Sequence, residues 1–432
     1  MAKPLNELLQ TLKQQDVDIL YMIYQYRCLS LLQIKELKQQ RQTLDDAKAT
    51  RITKTSLRLL KKEELLKEEE YLGDRICYFL TPLGIEIIRH FFELPTNIYD
   101  SKRKVVRRGY YLASELSMYP KLINHQIHLN QFVIEYMATQ PSIPWRYYDE
   151  KYVSQYTSIR PDGMISFADI DLFLEMDMGT ESRKQLCDKW ENYRNFLNSQ
   201  EYAFREKRIV VFFICENVVR TKERVALVKH TIYERLLDKM EADFDIMVGS
   251  KEDLLAYLTN VLIPSFTRND LNARKIEHFL SVKHKFVTSD GDRLSRLFPD
   301  ADYRWYIRKL DEEQKILVKE GRIQEFLVDD YEGAPVSIVA KVSYWEKNTL
   351  YFQNRFKRKI GYIIVAESEQ QIRDDLRMID MHTQENIFFT TIHRMEHLSF
   401  HRALFQFDLL GNLYSFENAG LERRVFEPHT FE

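Results

Sequence analysis

Three acidic residues in the middle of the chain have the types and spacing that could hold a divalent cation. Asp162 stands in a Pro-Asp-Gly turn, and Glu175 and Asp177 lie two positions apart in the apolar segment IDLFLEMDMG. Because side chains alternate along a strand, this spacing places both carboxylates on one side of a sheet. If Asp162 joins them at the end of that sheet, three hard oxygen donors suit Mg²⁺ or Mn²⁺. Such an ion would stabilise phosphoryl charge and generate hydroxide from water.

Asp162 and the polar neighbours of the acidic pair also have a purely structural interpretation. Asp162 can serve only as a turn residue, since aspartate is common in turns. Tyr193 at helical spacing is more typical of a core aromatic than of a nucleophile, and His125 and His128 are more typical of polar side chains that satisfy buried partners. Two carboxylates in an apolar strand, in contrast, are costly unless they are bonded or liganded. The pair at 175 and 177 is therefore the stronger indication of a site.

The elements around these residues predict an α/β sandwich. Residues 121–140 have the pattern of an amphipathic helix, and short strand-like segments follow Pro141 and Pro144. A helix is expected over 181–197, and the next segment, RIVVFFICEN, is too apolar for a strand with a solvated face. A further helix over 221–238 and the strand DFDIMVGS complete the alternation that is typical of α/β domains.

The N-terminal part predicts a winged helix-turn-helix. Helices are expected over 16–26, 31–37 and 45–62, followed by a hairpin around Gly73-Asp74 and a closing helix with Pro82 at its first position. In such a domain a basic helix enters the major groove while the hairpin touches phosphate. A protein-docking role for the same elements is the alternative. The residues expected to contact DNA are Lys48, Arg51, Lys54, Arg58, Lys61, Lys62, Lys67 and Arg75.

The segment RPDG, then FLEMDMGTES, and then Lys189 and Tyr193 on the next helix resemble the replication-relaxation family of mobile-element proteins. That family is similar to restriction endonucleases of the PD-(D/E)xK type and includes plasmid-transfer relaxases that pair a winged helix-turn-helix with a nuclease-like core. The resemblance covers about residues 10–240.

The resemblance implies roles for individual residues. Pro161-Asp162 would be the "PD" and Glu175 the "(D/E)", but Asp177 stands where the usual lysine would be. That lysine orients the nucleophile and offsets charge in the transition state, and Lys189 or Lys184 of the next helix could replace it. Glu181 could assist or simply begin that helix. The implied catalytic set is Asp162, Glu175, Asp177 and Lys189, and the implied metal ligands are Asp162, Glu175, Asp177 and Glu135.

The C-terminal half predicts a second α/β domain whose element order echoes the central one. We expect a degenerate copy of the core in which IVAKV is the strand equivalent to FLEMD, with Ala340 and Val342 in place of the two carboxylates. An unrelated partner-binding domain is the alternative. A basic face is also expected there, from Lys341, Lys347, Arg355, Lys357, Arg358 and Lys359.

The overall composition is that of a soluble globular protein. The length of 432 residues predicts about three domains. Net charge is −2, yet residues 1–110 carry 20 Lys or Arg against 15 Asp or Glu, a net of +5 that leaves −7 for the rest. The four cysteines show no zinc or disulfide spacing, and neither a signal peptide nor a membrane-spanning run is evident. A cytoplasmic location is expected.

Together these observations predict an α/β (α+β overall) protein with several parts. The expected division is a winged helix-turn-helix over 1–100, a basic linker over 101–120, a nuclease-like domain over 121–260, a helical connector over 261–325 and a C-terminal α/β domain over 326–432.

The functional hypothesis is a metal-dependent relaxase or endonuclease of a plasmid or other mobile element. The alternative is a non-catalytic winged-helix adaptor or regulator that keeps the nuclease-like scaffold. Expected partners are double-stranded DNA, single-stranded DNA at a nick, and replication or transfer proteins, with a homodimer left open and no membrane.

Overall fold

The structure is a computed structural model. It describes residues 4–427 apart from 43–44, 74, 100–103, 142, 154–155, 217–220, 241–242, 267–270, 291–303, 310–322, 324, 331–335, 357–358, 377–385, 409 and 423. The fold is mixed α/β, as the sequence predicts. The chain forms two compact units: Met1–Gln155 with Arg160–Ser166 and Met176–Met178, and the remaining residues up to Glu432. No helix in the described ranges is both long enough and apolar enough to cross a bilayer.

The first unit begins with the helices and hairpin expected for a winged helix-turn-helix. Strands β1, β2 and β3 form a small antiparallel sheet in the order β1-β3-β2. The elements are α1 (Leu5–Thr11), α2 (Gln14–Tyr26), β1 (Leu29–Ser30), α3 (Leu31–Gln42), α4 (Asp46–Lys62), β2 (Leu66–Tyr71), β3 (Arg75–Leu80) and α5 (Pro82–Phe91).

Local sequence signals account for the ends of these helices. Asp45 caps α4 because its carboxylate accepts the backbone N–H of Lys48 at 2.8 Å. Thr81 caps α5 in the same way through Gly84, and Pro82 occupies the first turn of that helix. Gly73 turns the hairpin with a φ of 79°, a conformation that glycine adopts without strain.

The residues expected to link the head to the core contain regular structure of their own. A two-stranded ribbon and a short helix precede a long helix. These are β4 (Asn97–Tyr99), β5 (Val105–Arg108), α6 (Ala113–Leu116) and α7 (Pro120–Ala138).

Helix α7 packs against the N-terminal elements of its own unit. The buried Asn130 donates to the carbonyls of Tyr26 and Cys28, and Gln33 of α3 donates to the carbonyl of Ile127. The sequence places this helix at the start of a nuclease-like domain. Its hydrogen bonds reach α2 and α3, and its His125 lies 2.9 Å from the carbonyl of Met176 in the strand Ile170–Asp177.

A five-stranded sheet forms the centre of the chain, in the order β10-β9-β8-β7-β6. Strands β6 and β7 pair antiparallel, and β9 and β10 pair parallel. Its elements are β6 (Arg146–Asp149), α8 (Glu150–Val153), β7 (Gly163–Ser166), β8 (Ile170–Asp177), α9 (Arg183–Leu197), α10 (Gln200–Ala203), β9 (Arg208–Cys215), α11 (Thr221–Leu236) and β10 (Phe244–Gly249).

Short helices lead to the C-terminal sheet. They are α12 (Lys251–Tyr257), α13 (Ile263–Phe266) and α14 (Leu271–His278), with single π-helical turns at Leu258–Leu262 and Phe279–Lys283.

The C-terminal sheet has eight strands in sequential order from β11 to β18. Strands β13, β14 and β15 are parallel, and the strands on either side of them are antiparallel. The elements are β11 (Val287–Asp290), β12 (Trp305–Arg308), β13 (Glu325–Asp330), α15 (Val336–Phe356), β14 (Ile360–Ala366), α16 (Glu369–Leu376), β15 (Ile387–Thr391), α17 (Ile392–His397), α18 (Phe400–Ala403), β16 (Phe405–Phe407), β17 (Leu413–Phe416) and β18 (Arg424–Glu427).

Two expectations about this half are wrong. The segment IVAKV is not a strand, because it lies in helix α15, which buries Ile338, Val342 and Trp345 at helical spacing. The strand that precedes the crossover helix is β13 instead. The stretch 261–325 is not a purely helical connector either, since it supplies strands β11 and β12.

Candidate functional site

The basic helix α4 has one buried side and one exposed side. Its buried residues are Ala49, Thr53, Ser56, Leu57 and Leu60, which recur at helical spacing. All eight residues that the sequence singles out for DNA contact are exposed: Lys48, Arg51, Lys54, Arg58, Lys61 and Lys62 on α4, Lys67 on β2 and Arg75 on β3. The structure therefore presents this set to solvent; we call the α4 members the basic face.

Acidic neighbours offset part of this charge on the hairpin side. Lys61 pairs with Glu68 at 2.5 Å, and Lys67 pairs with Glu69 at 3.0 Å while its ammonium lies 5.2 Å from the centre of the Phe79 ring. Exposed ion pairs of this kind contribute little to stability. The earlier turns of α4 provide the denser positive charge.

In the central sheet, Glu175 is a buried carboxylate whose two oxygens are both engaged. Its side chain is 3% exposed, Lys189 Nζ donates to Oε2 at 3.0 Å, and Tyr193 Oη donates to Oε1 at 2.7 Å. Lys189 also pairs with Glu181 at 3.0 Å. The cation beside Glu175 therefore comes from the helix that follows β8.

The start of α9 explains why Lys189 and Tyr193 reach Glu175. Ser182 and Gln185 form a capping box, in which each side chain accepts the other residue's backbone N–H. This cap sets the helix register, and residues four apart then lie on one side of the helix. Tyr193 is 1% exposed and donates its hydroxyl proton to a carboxylate, so the interpretation as a core aromatic describes its surroundings better than that of a nucleophile.

Asp162 has a separate set of partners at the start of β7. Its Oδ2 accepts the backbone N–H of Met176 at 2.8 Å and lies 3.2 Å from His125 Nε2. His125 Nε2 also lies 2.9 Å from the carbonyl of Met176. Met176 is the residue between Glu175 and Asp177, so Asp162 contacts the backbone of the segment that carries the acidic pair.

The remaining predicted ligands are placed differently. Asp177 is buried at 2% exposure. Glu135 lies on α7 and accepts a hydrogen bond from Gln131, which also donates to Glu36 of α3. Gln131 therefore lies between the carboxylates of Glu135 and Glu36.

These residues do not form a ready metal centre. In the described part of the chain, no group of three or more His, Cys, Asp or Glu side chains is arranged to hold a metal ion. Both oxygens of Glu175 already accept protein hydrogen bonds. A Mg²⁺ or Mn²⁺ ion held by the predicted carboxylates therefore stays a prediction.

Sequence reasoning missed two contacts. It treated His125 as a general polar side chain, although this residue joins Asp162 to β8. It did not pair Tyr193 with Glu175. Tyr193 lies four residues after Lys189 on the same helix, and this spacing was the available signal for its contact with Glu175. No local sequence signal indicates the contact of His125.

Three of the four cysteines, Cys28, Cys77 and Cys215, are buried, and Cys187 is partly exposed. All four are free thiols, and burial raises the pKa of the Cys28 thiol well above its usual value.

Residues 20–211 match the family model described as replication-relaxation. No curated protein and no solved structure matches the chain. The matched range includes α4, the hairpin, Asp162, Glu175 and Lys189.

Proposed function

We propose, from the premise that residues 20–211 belong to the replication-relaxation family, that this chain binds duplex DNA through its basic face and acts in the replication or mobilisation of a plasmid or other mobile element. The observation that carries the proposal is the two-sided character of α4. One side is buried against its domain, and the other exposes six bases without an acid between Lys48 and Lys62.

The dimensions and charge of α4 suit a nucleic-acid groove. Its 17 residues span about 25 Å at 1.5 Å per residue, and the major groove admits an α-helix. Exposed lysines and arginines release counterions from the phosphate backbone, which gives affinity that falls steeply with salt. The β2–β3 hairpin adds Arg75 at the position expected for a wing that touches phosphate.

Duplex binding by charge-matched variants tests this function. We expect K54A/R58A to weaken binding to a fluorescent duplex by about tenfold or more at 0.1 M salt and to lower the salt slope by about 2, because two phosphate contacts are lost. The control K121A/K222A removes two exposed bases elsewhere and should leave affinity within about twofold. Equal weakening by both variants would reject a specific role for the basic face.

A metal-dependent nuclease or relaxase activity is the second candidate. The observation that favours it is the Lys189–Glu175 contact, because the lysine absent from position 177 is present beside the carboxylate. The arrangement of the described side chains counts against it, since they hold no three-donor group. A non-catalytic adaptor with a nuclease-like scaffold is the corresponding alternative.

Metal titration and plasmid nicking separate these two candidates. A nuclease predicts Mn²⁺ binding by calorimetry that is lost in E175Q and D177N, together with nicking of supercoiled plasmid carrying the cognate site that E175Q abolishes. The exposed D188N on α9 is the matched control. Absence of Mn²⁺ binding to the unmodified chain would leave the adaptor, and duplex binding through the basic face would be unaffected.

A further inference from the structure

A concave basic region lies beside the C-terminal sheet. Its volume is about 440 Å³, and it is lined by residues 283–286, Lys309, 397–401 and Ala419. We call it the basic cavity. The segments that form it are the turn after the second π-helical turn, the end of β12 and the connection between α17 and α18.

The charge of the basic cavity is one-sided. Of the described residues that line it, three are lysines and three are histidines, and none is an aspartate or glutamate. Lys283 is engaged at the end of α17, where it donates to the carbonyls of Met395, at 2.9 Å, and Glu396. Lys285 is exposed and Lys309 is half-buried, so two further ammonium groups belong to the cavity wall.

Two aromatic rings lie next to the positive charge. The rings of Phe286 and Phe400 lie 4.5 Å apart between centres, and the ammonium of Lys309 lies 5.0 Å from the centre of the Phe286 ring. A cation near a ring is attracted by its quadrupole, which helps to fix the otherwise flexible side chain. Lys285 has a φ of 59°, a left-handed conformation that is costly for a non-glycine residue and is commonly kept at binding sites.

Burial lowers the pKa of two of the histidines, and nearby positive charge lowers it further. His284 is buried and lies 3.2 Å from the Met395 carbonyl, and its pKa falls to about 4 through burial and then through Lys283 and Lys309. The pKa of His401 is also lowered, by burial and then by Arg402 and Lys309. Lys309, His284 and His401 all line the cavity, so an anion bound there would lie beside the ammonium group of Lys309.

We propose that the basic cavity binds a phosphate group of a single DNA strand, with Lys285 and Lys309 as the cationic contacts and His401 as a further donor. This rests on the proposed role in DNA processing for its choice of a DNA strand over a small phosphate compound. The exposed Leu398 and the half-buried Phe400 beside the cations add apolar surface suited to a base or sugar next to the phosphate.

Single-strand binding by the full chain tests the proposal. We expect K285A/K309A to weaken binding of a fluorescent single-stranded oligonucleotide by about fivefold or more at 0.1 M salt, since two phosphate contacts are removed. The control K222A/K275A removes two exposed lysines of the same unit and should change affinity less than about twofold. An unchanged affinity in K285A/K309A would overturn the proposal.

The same experiment is repeated in the K54A/R58A background. Both proposals are supported if K285A/K309A weakens single-strand binding and K54A/R58A weakens duplex binding. If K54A/R58A binds duplex DNA normally while K285A/K309A still weakens single-strand binding, only the proposal for the basic face is contradicted. The two failures are therefore distinguishable.

Titration with inorganic phosphate distinguishes the source of the ligand. Phosphate in the cavity should raise the pKa of His401, followed by NMR of its ring Cε1–H signal, and K285A/K309A should abolish that shift. If phosphate shifts His401 while the oligonucleotide neither competes with it nor depends on the two lysines, the ligand is a small phosphate compound and the DNA-strand proposal is wrong.

Discussion

The two α/β sheets of this chain hold a buried carboxylate in closely similar ways. In the central sheet, Glu175 of β8 accepts from Lys189 at 3.0 Å and from Tyr193 at 2.7 Å. In the C-terminal sheet, Asp329 of β13 accepts from Lys341 at 3.0 Å and from Tyr362 at 2.8 Å. In both sheets the lysine comes from the helix that follows the strand.

The order of elements is also shared. Each sheet places five consecutive strands side by side in sequence order, with helices in the last two connections: β6 to β10, and β11 to β15. This parallel supports the hypothesis of a repeated core. The source of the tyrosine differs, because Tyr193 lies on helix α9 and Tyr362 on strand β14.

The difference between the two sheets lies in the residue just before the second strand. In the central sheet this residue is Asp162, whose carboxylate accepts the backbone N–H of Met176. In the C-terminal sheet it is Arg304, whose backbone N–H donates to Asp329 and whose guanidinium contacts Asp330. The residue at this position is therefore acidic in the central sheet and basic in the C-terminal sheet.

This comparison makes the central sheet, rather than the C-terminal sheet, the place to test for a cation-dependent site. A buried carboxylate needs a compensating positive charge or hydrogen bonds. The C-terminal sheet supplies two cations, Lys341 and Arg304, for its acidic pair. Lys341 pairs with Asp329, so it does not add to the basic surface that the sequence predicts in this half. The side chains of Lys347, Arg355, Lys357 and Arg358 lie outside the described residues.

Removing either lysine should give the largest effect on stability. K189M and K341M each leave a buried carboxylate without its cation, and we expect the free energy of unfolding to fall by about 3 kcal/mol in each case. Neutralising the partner should restore much of the loss, in E175Q/K189M and D329N/K341M. Urea denaturation of the single and double variants measures this coupling. If the neutralised partner restores stability in one sheet but not in the other, the two carboxylates are not held in the same way.

Acid should destabilise the C-terminal sheet through His284. The pKa of this histidine is lowered to about 4 by burial, so the unfolded chain binds more protons than the folded chain between about pH 6.5 and pH 4. Stability is therefore complete above pH 6.5 and falls as the pH drops, by about 2–3 kcal/mol from this residue.

The variant H284Q isolates that contribution. Its amide can still donate to the Met395 carbonyl but does not titrate, so it should flatten the fall in thermal midpoint between pH 7 and pH 4. H278Q, at an exposed position on α14, is the matched control and should keep the pH dependence of the unmodified chain. Hydrogen exchange should place the acid sensitivity in β14 rather than in β9. A similar response in β9 would contradict this assignment.

Removing the tyrosine hydroxyls should have the smallest effect. Y193F and Y362F each delete one hydrogen bond to a buried carboxylate while keeping the ring in the core, so we expect losses of about 1–2 kcal/mol. Thermal unfolding of the two variants provides the measurement. A much larger loss for one tyrosine would indicate that the two carboxylates depend on different partners.

The elements of the N-terminal region could be predicted because their signals are local. Asp45 and Thr81 cap helices, Pro82 occupies a first turn, and Gly73 turns a hairpin. Each signal acts over a few residues, so no knowledge of the tertiary fold is needed.

The error at IVAKV shows where such signals compete. This segment is rich in β-branched residues, which favours a strand, but Ile338, Val342 and Trp345 recur at helical spacing and are buried together. Packing against the sheet decided in favour of a helix. A count of the helical period over the whole stretch 336–356 would have predicted it.

Sequence alone determined that acidic residues occupy positions 162, 175 and 177, that a lysine follows on the next helix and that α4 concentrates exposed bases. These are properties of composition and short-range periodicity. Tertiary structure decided that Lys189 and Tyr193 occupy both oxygens of Glu175, that His125 joins Asp162 to β8 and that Arg304 stands opposite Asp330 in the second sheet. The physical reason is that burial sets the cost of an uncompensated charge, and only the folded chain determines which distant group is near enough to offset it.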